Sequence, residues 1–381
     1  MNDEVIFAKK VGGGVARNSS IELFRIIIML VIIAHHYIVN SGVYDVIKAG
    51  DVLSAASIFS LIFGFGGKIG INCFVLITGY FMCKSQISIR KYVKLFLEVQ
   101  FYMILFMLIF HLSGYEKYGI RKAIMTIVPF YYVGTEFLST YLLFYFFIPY
   151  FNLFLSSLDE MKHRNLLILL LVSDSILQTF LKIPKAFTYF GWFVTVYFIA
   201  AYIRLCRDGN YKNKWTRSGV FYNFREWLFF TVCIVLISWA SIITGALFYS
   251  ITGKDIIYHF VIDSNKFLSI LLAVSAFLTF LNMNIKHSKM INMVASSVFG
   301  VLLIHANSDI MRRWLWEDLL NCVGMYKYGL SHPVQYAFRA ILVVAVVFLV
   351  CAVIDILRQK LLERPVMNLV DKICERLRMR F

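Results

Sequence analysis

Ile21-Glu-Leu-Phe-Arg-Ile-Ile-Ile-Met-Leu-Val-Ile-Ile-Ala-His-His-Tyr-Ile-Val-Asn40 is the stretch that decides the fold. About 20 apolar residues suffice to cross a bilayer as a helix. Among them stand Glu22, Arg25, His35 and His36. An ionisable group at the centre of a spanning helix costs roughly 2.5–3.5 kcal/mol on insertion scales, so such groups persist where they pair or face a polar cavity. At about 100° per residue, Arg25 and His36 lie about three turns apart and nearly eclipsed. Glu22 falls close to the same stripe, and His35 is rotated away by about 100°. The stretch reads as a membrane helix with one reactive face, carrying acid, base and imidazole along about 20 Å.

Composition extends this to the whole chain. Of 381 residues, 60% are hydrophobic and 16% charged, against about 25% charged in soluble domains. The first apolar stretch is too long for a signal peptide and lacks a small-residue cleavage site, so it is expected to remain as an anchor. Ten apolar spans follow, near 21–40, 57–83, 93–112, 136–155, 165–181, 187–206, 227–249, 266–283, 293–311 and 335–361. The apolar run Ile124–Val133 is a candidate re-entrant or interfacial piece beside the fourth. No internal repeat or low-complexity linker divides the chain. The expectation is all-α: a polytopic bundle of about ten transmembrane helices. One integral-membrane domain, 21–361, lies between an N-terminal tail, 1–20, and a basic C-terminal tail, 362–381.

Basic residues between the spans set the orientation. With the N-terminus inside, inner segments carry 24 Lys and Arg and outer segments 12. Both termini are therefore expected in the cytoplasm of a multi-pass cell-membrane protein. The net charge of +16 is mainly a topology signal and an attraction to anionic membrane lipid. Dispersed between spans, it forms no single patch for nucleic acid. The seven cysteines form no Cys-x-x-Cys pair and read as apolar filler, with no metal expected.

Three further stretches carry polar groups at membrane depth. In Gly64-Phe-Gly-Gly-Lys-Ile-Gly-Ile-Asn72, the glycines alone read as helix packing or a helix break. Lys68 and Asn72 share a helix face, and a lysine there implies an anion or a water-filled cavity. In Ile87-Ser-Ile-Arg-Lys-Tyr-Val-Lys94, Arg90 and Lys94 share a face at the inner end of the third span. They serve either as ordinary anchors or as a phosphate clamp for a cytosolic anionic donor. In Ser296-Ser-Val-Phe-Gly-Val-Leu-Leu-Ile-His305-Ala-Asn307, His305 lies about twelve residues into a span that starts inside, and His36 about fifteen into another. A single such histidine reads as a core residue bonded to a carbonyl. Two at matched depth, one above a Glu/Arg stripe, read as a site. Their rings are expected within roughly 10 Å of each other.

In these residues the chain resembles the integral-membrane acyltransferase-3 family, bacterial acyl-CoA-dependent O-acyltransferases of surface glycans. The family's first helix carries an acid, Arg three later and His eleven after that, which Glu22, Arg25 and His36 match, Glu standing for the commoner Asp. Gly67-Lys-Ile-Gly-Ile-Asn-Cys-Phe-Val-Leu-Ile-Thr-Gly-Tyr-Phe81 is similar to the second-helix motif, with Thr78 where Ser is usual. Arg90 and Lys94 match the basic pair that follows. Phe137-Leu-Ser-Thr-Tyr-Leu142, Ile148-Pro-Tyr-Phe-Asn152, Tyr189-Phe-Gly-Trp-Phe193, Tyr202-Ile-Arg204 and Ser297…His305-Ala-Asn307 look like later blocks of a capsule-type branch. Some members add an extracytoplasmic esterase-like domain, which is not expected here.

The resemblance implies an acyltransferase whose donor is acyl-CoA, most simply acetyl-CoA. The acceptor would be a hydroxyl of a cell-surface glycan or a lipid-linked sugar. His36 would be the base for the hydroxyl proton or briefly accept the acyl group itself. Arg25 would balance Glu22 or contact the donor pyrophosphate. Lys68 and Asn72 would stabilise the oxyanion or orient the donor arm. Arg90 and Lys94 would meet the CoA phosphates, and His305 would work on the acceptor side. The outer loops Tyr131–Glu136 and Arg312–Trp316 would offer acceptor surface. A glycan or lipid flippase uses similar intramembrane charges and broken helices, and a membrane scaffold is a third alternative. Acceptor, acyl length and self-association are open at this level.

Overall fold

A computed structural model describes residues 10, 11, 14, 15, 17–85, 88–131, 133, 136–184, 188–211 and 219–376. Apart from a two-residue antiparallel ladder, Lys10–Val11 with Gly14–Val15, the described elements are helices. They are α1 Ser19–Val39, α2 Val43–Ala49, α3 Ala55–Phe63, α4 Gly67–Met82, α5 Ile89–Leu112, α6 Ile120–Ile127, α7 Phe137–Ser156, α8 Glu160–Leu171 and α9 Leu177–Phe180. Then follow α10 Tyr189–Arg207, α11 Phe224–Thr252, α12 Phe267–Asn282, α13 Lys289–Ser296, α14 Val298–His305, α15 Asp309–Arg312, α16 Cys322–Gly329, α17 Pro333–Arg358 and α18 Arg364–Arg376. A single-turn π segment links α8 to α9, and others follow α15 and α17.

Seven described helices are long and apolar enough to cross a membrane, and the bent pair Lys289–His305 with Asp309–Leu319 makes up to eight. Two expected spans take another form. The one near 165–181 starts at Glu160 and passes through the π turn Val172–Ile176. The one near 266–283 is α12, whose 16 residues reach about 24 Å against a hydrocarbon core of about 30 Å. A third needs correction: 293–311 is not one straight span. The helix stops at His305, and the chain turns by 91° into Asp309–Leu319. Ser308 caps the new direction, its hydroxyl accepting from Met311 N–H. Among the described residues of Ile124–Val133, only Ile124–Ile127 are helical, as the end of α6, none of whose residues is buried. After 361 the described residues continue as helix to Arg376: Met367 is buried, and Asp371 bonds Arg90.

Burial separates central helices from lipid-facing ones. Of the apolar stretch of Ala55–Met82, 61% is buried, against 17% for α11. Phe229, Leu236 and Ile237 on α11 and Leu349, Val350 and Val353 on α17 are exposed. Apolar side chains facing outward suit lipid as solvent. Helix α1 stands near the middle, packed against α3, α4, α12, α13, α14 and α17. Asn18 starts it, its side-chain oxygen accepting from the N–H of Ser20 and Ile21, a cap worth about 1 kcal/mol.

Glycines bring α4 onto α1. A Cβ added at Gly66 would lie 2.1 Å from Val31, at Gly70 2.6 Å from Ile32, and at Gly67 2.2 Å from the His35 ring. Between α3 and α4 the helix breaks at Gly64–Gly66, at the level of the two neighbouring histidines. We predict that Gly67→Ala costs about 1–3 kcal/mol by overpacking, read as a lower thermal midpoint of the solubilised protein. Gly119→Ala is the control, because nothing lies within 4 Å of its added Cβ; equal effects of the two would contradict the packing account.

Candidate functional site

The polar stripe of α1 divides into two places. At the first turn, buried Glu22 faces half-buried Arg25, with Oε2 to Nη1 3.7 Å. Glu22 Oε2 and Arg25 Nε are buried without a hydrogen-bond partner. The carboxylate also sits at a helix N-terminus, where the macrodipole favours it. His36 lies eleven residues beyond Arg25, about 16 Å along the axis. Arg25 therefore does not share a contact shell with the histidines.

The histidines converge from two helices. His36 on α1 and His305 at the end of α14 have ring centroids 5.4 Å apart, edge to face. His36 Nδ1–H donates to Asn40 Oδ1 (3.0 Å), and His305 Nδ1–H to the Val301 carbonyl (2.6 Å). In neutral imidazoles this leaves both Nε2 atoms as acceptors. His305 is fully buried and its Nε2 has no partner, whereas His36 is half-buried. The match in depth follows from helix length. His36 lies about 25 Å above Ser19, and His305 about 24 Å above Lys289, at 1.5 Å per residue. His35 points elsewhere: its Nδ1–H donates to the Gly64 carbonyl at 2.7 Å. Trp316 caps the pair, fully buried and edge-on to both His305 (6.3 Å) and Tyr37 (6.2 Å).

The second-helix residues are differently placed. Lys68 Nζ donates to Tyr189 Oη at 2.9 Å, a neutral partner. Asn72 is fully buried and its amide is occupied at both ends. Its Nδ2 donates to the Ser264 carbonyl (2.7 Å), and its Oδ1 accepts from Trp192 Nε1 (2.8 Å). These bonds tie α4 to α10 and to the turn before α12. Thr78 Oγ1 bonds Tyr141 Oη at 2.9 Å. Asn152 donates to the Met82 carbonyl (2.9 Å) and accepts from Tyr197 Oη (2.6 Å), joining α7, α4 and α10.

Arg90 faces a carboxylate of the last helix, and Lys94 one of the π turn before it. Arg90 makes a two-pronged contact with Asp371 (2.7 and 3.1 Å), and Lys94 meets Glu363 at 2.6 Å. Deeper in, Arg358 reaches Glu98 (2.8 Å), Asp355 (2.7 Å) and Glu363 (3.2 Å), and Tyr102 Oη donates to Asp355. Sequence reading missed this buried network. Its signals were Glu98 inside the third span, and Asp355 and Arg358 at helical spacing near the end of the last. Tyr132, Gly134 and Thr135 of the expected acceptor loop lie outside the described residues. Among the described residues, no group of three or more His, Cys, Asp or Glu is placed to hold a metal ion.

A multi-pass helical protein with two imidazoles paired inside the bundle is the class that fold and site define. A family model, Acyl_transf_3, described as an acyltransferase domain, matches residues 18–356. The chain belongs to this family and is a membrane acyltransferase. Comparison with curated proteins gives no match, nor does comparison with solved structures.

Asn72 gives a test of its place. Asn72→Ala would leave the Trp192 N–H and the Ser264 carbonyl buried without partners, each costing about 1–3 kcal/mol. A clear fall in thermal midpoint is expected in detergent, with or without donor. An unchanged midpoint would return Asn72 to a role at the donor.

Proposed function

We propose that the protein moves an acyl group, most simply acetyl, from acyl-CoA to a hydroxyl of a cell-envelope glycan or its lipid-linked precursor. The observation that carries this is the His36–His305 pair, 5.4 Å between rings. Each ring donates through Nδ1 and keeps Nε2 as an acceptor. Transfer to a hydroxyl needs a base for its proton, and a neutral imidazole suits that near pH 7. His36 Nε2 takes the proton, and the hydroxyl oxygen attacks the thioester carbonyl carbon. The C–S bond then breaks, and the thiolate leaves with the proton from the imidazolium. His305, at the same depth, orients the acceptor.

The donor enters from the inner end. Arg90 and Lys94 bind CoA phosphates by giving up Asp371 and Glu363, so the C-terminal carboxylates occupy the phosphate places until the donor arrives. Arg25, between the inner end and the histidines, meets the donor on its way, with Glu22 balancing its charge. Lys68 lies near the thioester end, beside His35. The acceptor comes from the outer side. The proposed setting is the cell membrane, with both termini in the cytoplasm.

The test is transfer of labelled acetyl from acetyl-CoA by protein reconstituted in vesicles. Wild type is expected to label an envelope glycan fraction. His36→Ala is expected to lose about 10²–10⁴-fold in rate, the usual worth of a general base, with donor binding retained. His35→Ala should fall less in rate and more in stability, because its bond goes to a backbone carbonyl. Equal rate losses in the two would refute the division of labour between them.

A second expectation concerns the inner end. Combined Arg90→Ala and Lys94→Ala should weaken CoA binding about tenfold, from two partly exposed charge contacts. Wild-type donor affinity should fall as salt rises, because such contacts are screened. Calorimetry or tryptophan quenching checks both, and unchanged affinity would make the pair plain anchors.

A further inference from the structure

Three buried polar atoms beside the histidine pair have no partner. They are His305 Nε2, Arg312 Nε and Trp316 Nε1. More than about 90% of buried polar groups in folded proteins are paired. Helix geometry brings these three together. After the 91° turn, Asp309–Leu319 lies across the outer end of α14. Trp316 is thereby laid edge-on to the His305 ring, 6.3 Å away. Arg312 stands four residues before Trp316 on the same Asp309–Leu319 stretch, about one helical turn away. Its outer end is held by exposed Asp309 through Nη2, while Nε, further back along the side chain, stays buried.

The inventory of these atoms is two N–H donors and one acceptor. That is the complement of an acyl transfer in progress, where an oxygen gains negative charge while a hydroxyl gives up its proton. Of the donors expected for that oxygen from sequence, Asn72 is bonded to the Ser264 carbonyl, and Lys68 gives one of its three N–H groups to Tyr189. We infer that Arg312 Nε–H and Trp316 Nε1–H form the oxyanion pocket of the transferase, binding the acyl carbonyl oxygen while the acceptor hydroxyl lies at the histidines. The inference rests on the transferase reading above and adds catalytic residues to the same site. As the hydroxyl oxygen bonds to the carbonyl carbon, the C=O electron pair moves onto oxygen and is met by the two N–H groups. Collapse restores C=O, breaks the C–S bond and releases the thiolate, which takes the proton held by the imidazolium. Fixed donors in a site shielded from water are worth most at that moment.

The experiment compares wild type, Trp316→Phe, Arg312→Gln and Arg312→Lys, each full length in vesicles. Four quantities are measured: kcat, acceptor KM, donor affinity, and the slow hydrolysis of acetyl-CoA without acceptor. Trp316→Phe keeps an aromatic ring but removes the N–H. Loss of one oxyanion donor is expected to lower kcat about 10²–10³-fold. Acceptor KM and donor affinity should change less than about threefold, and hydrolysis should fall in parallel, because water attack passes through the same oxyanion. Arg312→Gln should behave alike, and Arg312→Lys should recover little, since its ammonium does not reproduce the Nε–H geometry. A Trp316→Phe rate within about threefold of wild type overturns the inference. So does a loss confined to acceptor KM with hydrolysis intact, which would make these residues sugar-positioning groups. If Trp316→Phe does not fold, half-buried Arg312 carries the same comparison. A wild type that transfers no acyl group fails the transferase reading itself, whereas an active wild type with unaffected variants fails only the oxyanion assignment.

Discussion

A backbone carbonyl left free by a broken helix fixes the arrangement of the site. Where α3 ends and α4 has not begun, the Gly64 carbonyl accepts from His35 Nδ1–H at 2.7 Å. Inside a membrane no water stands ready to take that place, and an unsatisfied carbonyl costs several kcal/mol. His35 is therefore committed to structure, and the glycines at 66, 67 and 70 let α4 come close enough to hold it. The next residue along the helix is turned by about 100°. That turn carries His36 round to His305. The doubled histidine is thus two groups in two places, one closing a helix break and one facing His305, where the proposed function puts the base.

The same level of the bundle holds a second break. Helix α14 ends at His305, and the chain turns before α15. Two interrupted helices flank one pair of imidazoles, which is where membrane proteins tolerate irregular backbone. At the end of the bundle away from the histidines the constraint is ionic. Arg358 is shared among Glu98, Asp355 and Glu363. Taking such charges out of water is expensive, and removing one partner of a buried pair typically costs about 3–5 kcal/mol. The network joins α5, α17 and the following π turn, and continues outward to Lys94 and Arg90. It fixes one end of the helices that pack around the histidine pair.

Much of this was legible in the chain. The eclipsed Glu22, Arg25 and His36 follow from helix period alone, and the matched depth of His36 and His305 from counting residues. The family match was carried by motif spacing. What was not legible depends on tertiary contact. Asn72 read as a site residue because it shares a face with Lys68; Trp192 and the Ser264 carbonyl, both distant in sequence, add a packing role by each taking a bond of its amide. Arg312 and Trp316 read as outer loop because hydropathy continues past His305 and hides the turn at 306–308. Arg90 and Lys94 gave no hint of Asp371 and Glu363, since the end of the chain reads as basic tail. Glu98 was passed over as one acid in an apolar run, where Arg358 is needed to show its purpose.

The central claim is that His36 and His305 act as one unit in acyl transfer. A double-mutant cycle tests it most directly, with transfer rates of wild type, His36→Ala, His305→Ala and the double variant measured at saturating donor. Groups that act together lose their effect together, so the double variant should be no slower than the slower single, within about threefold. Losses that multiply across the two sites would contradict the account, leaving two independent residues that happen to lie side by side.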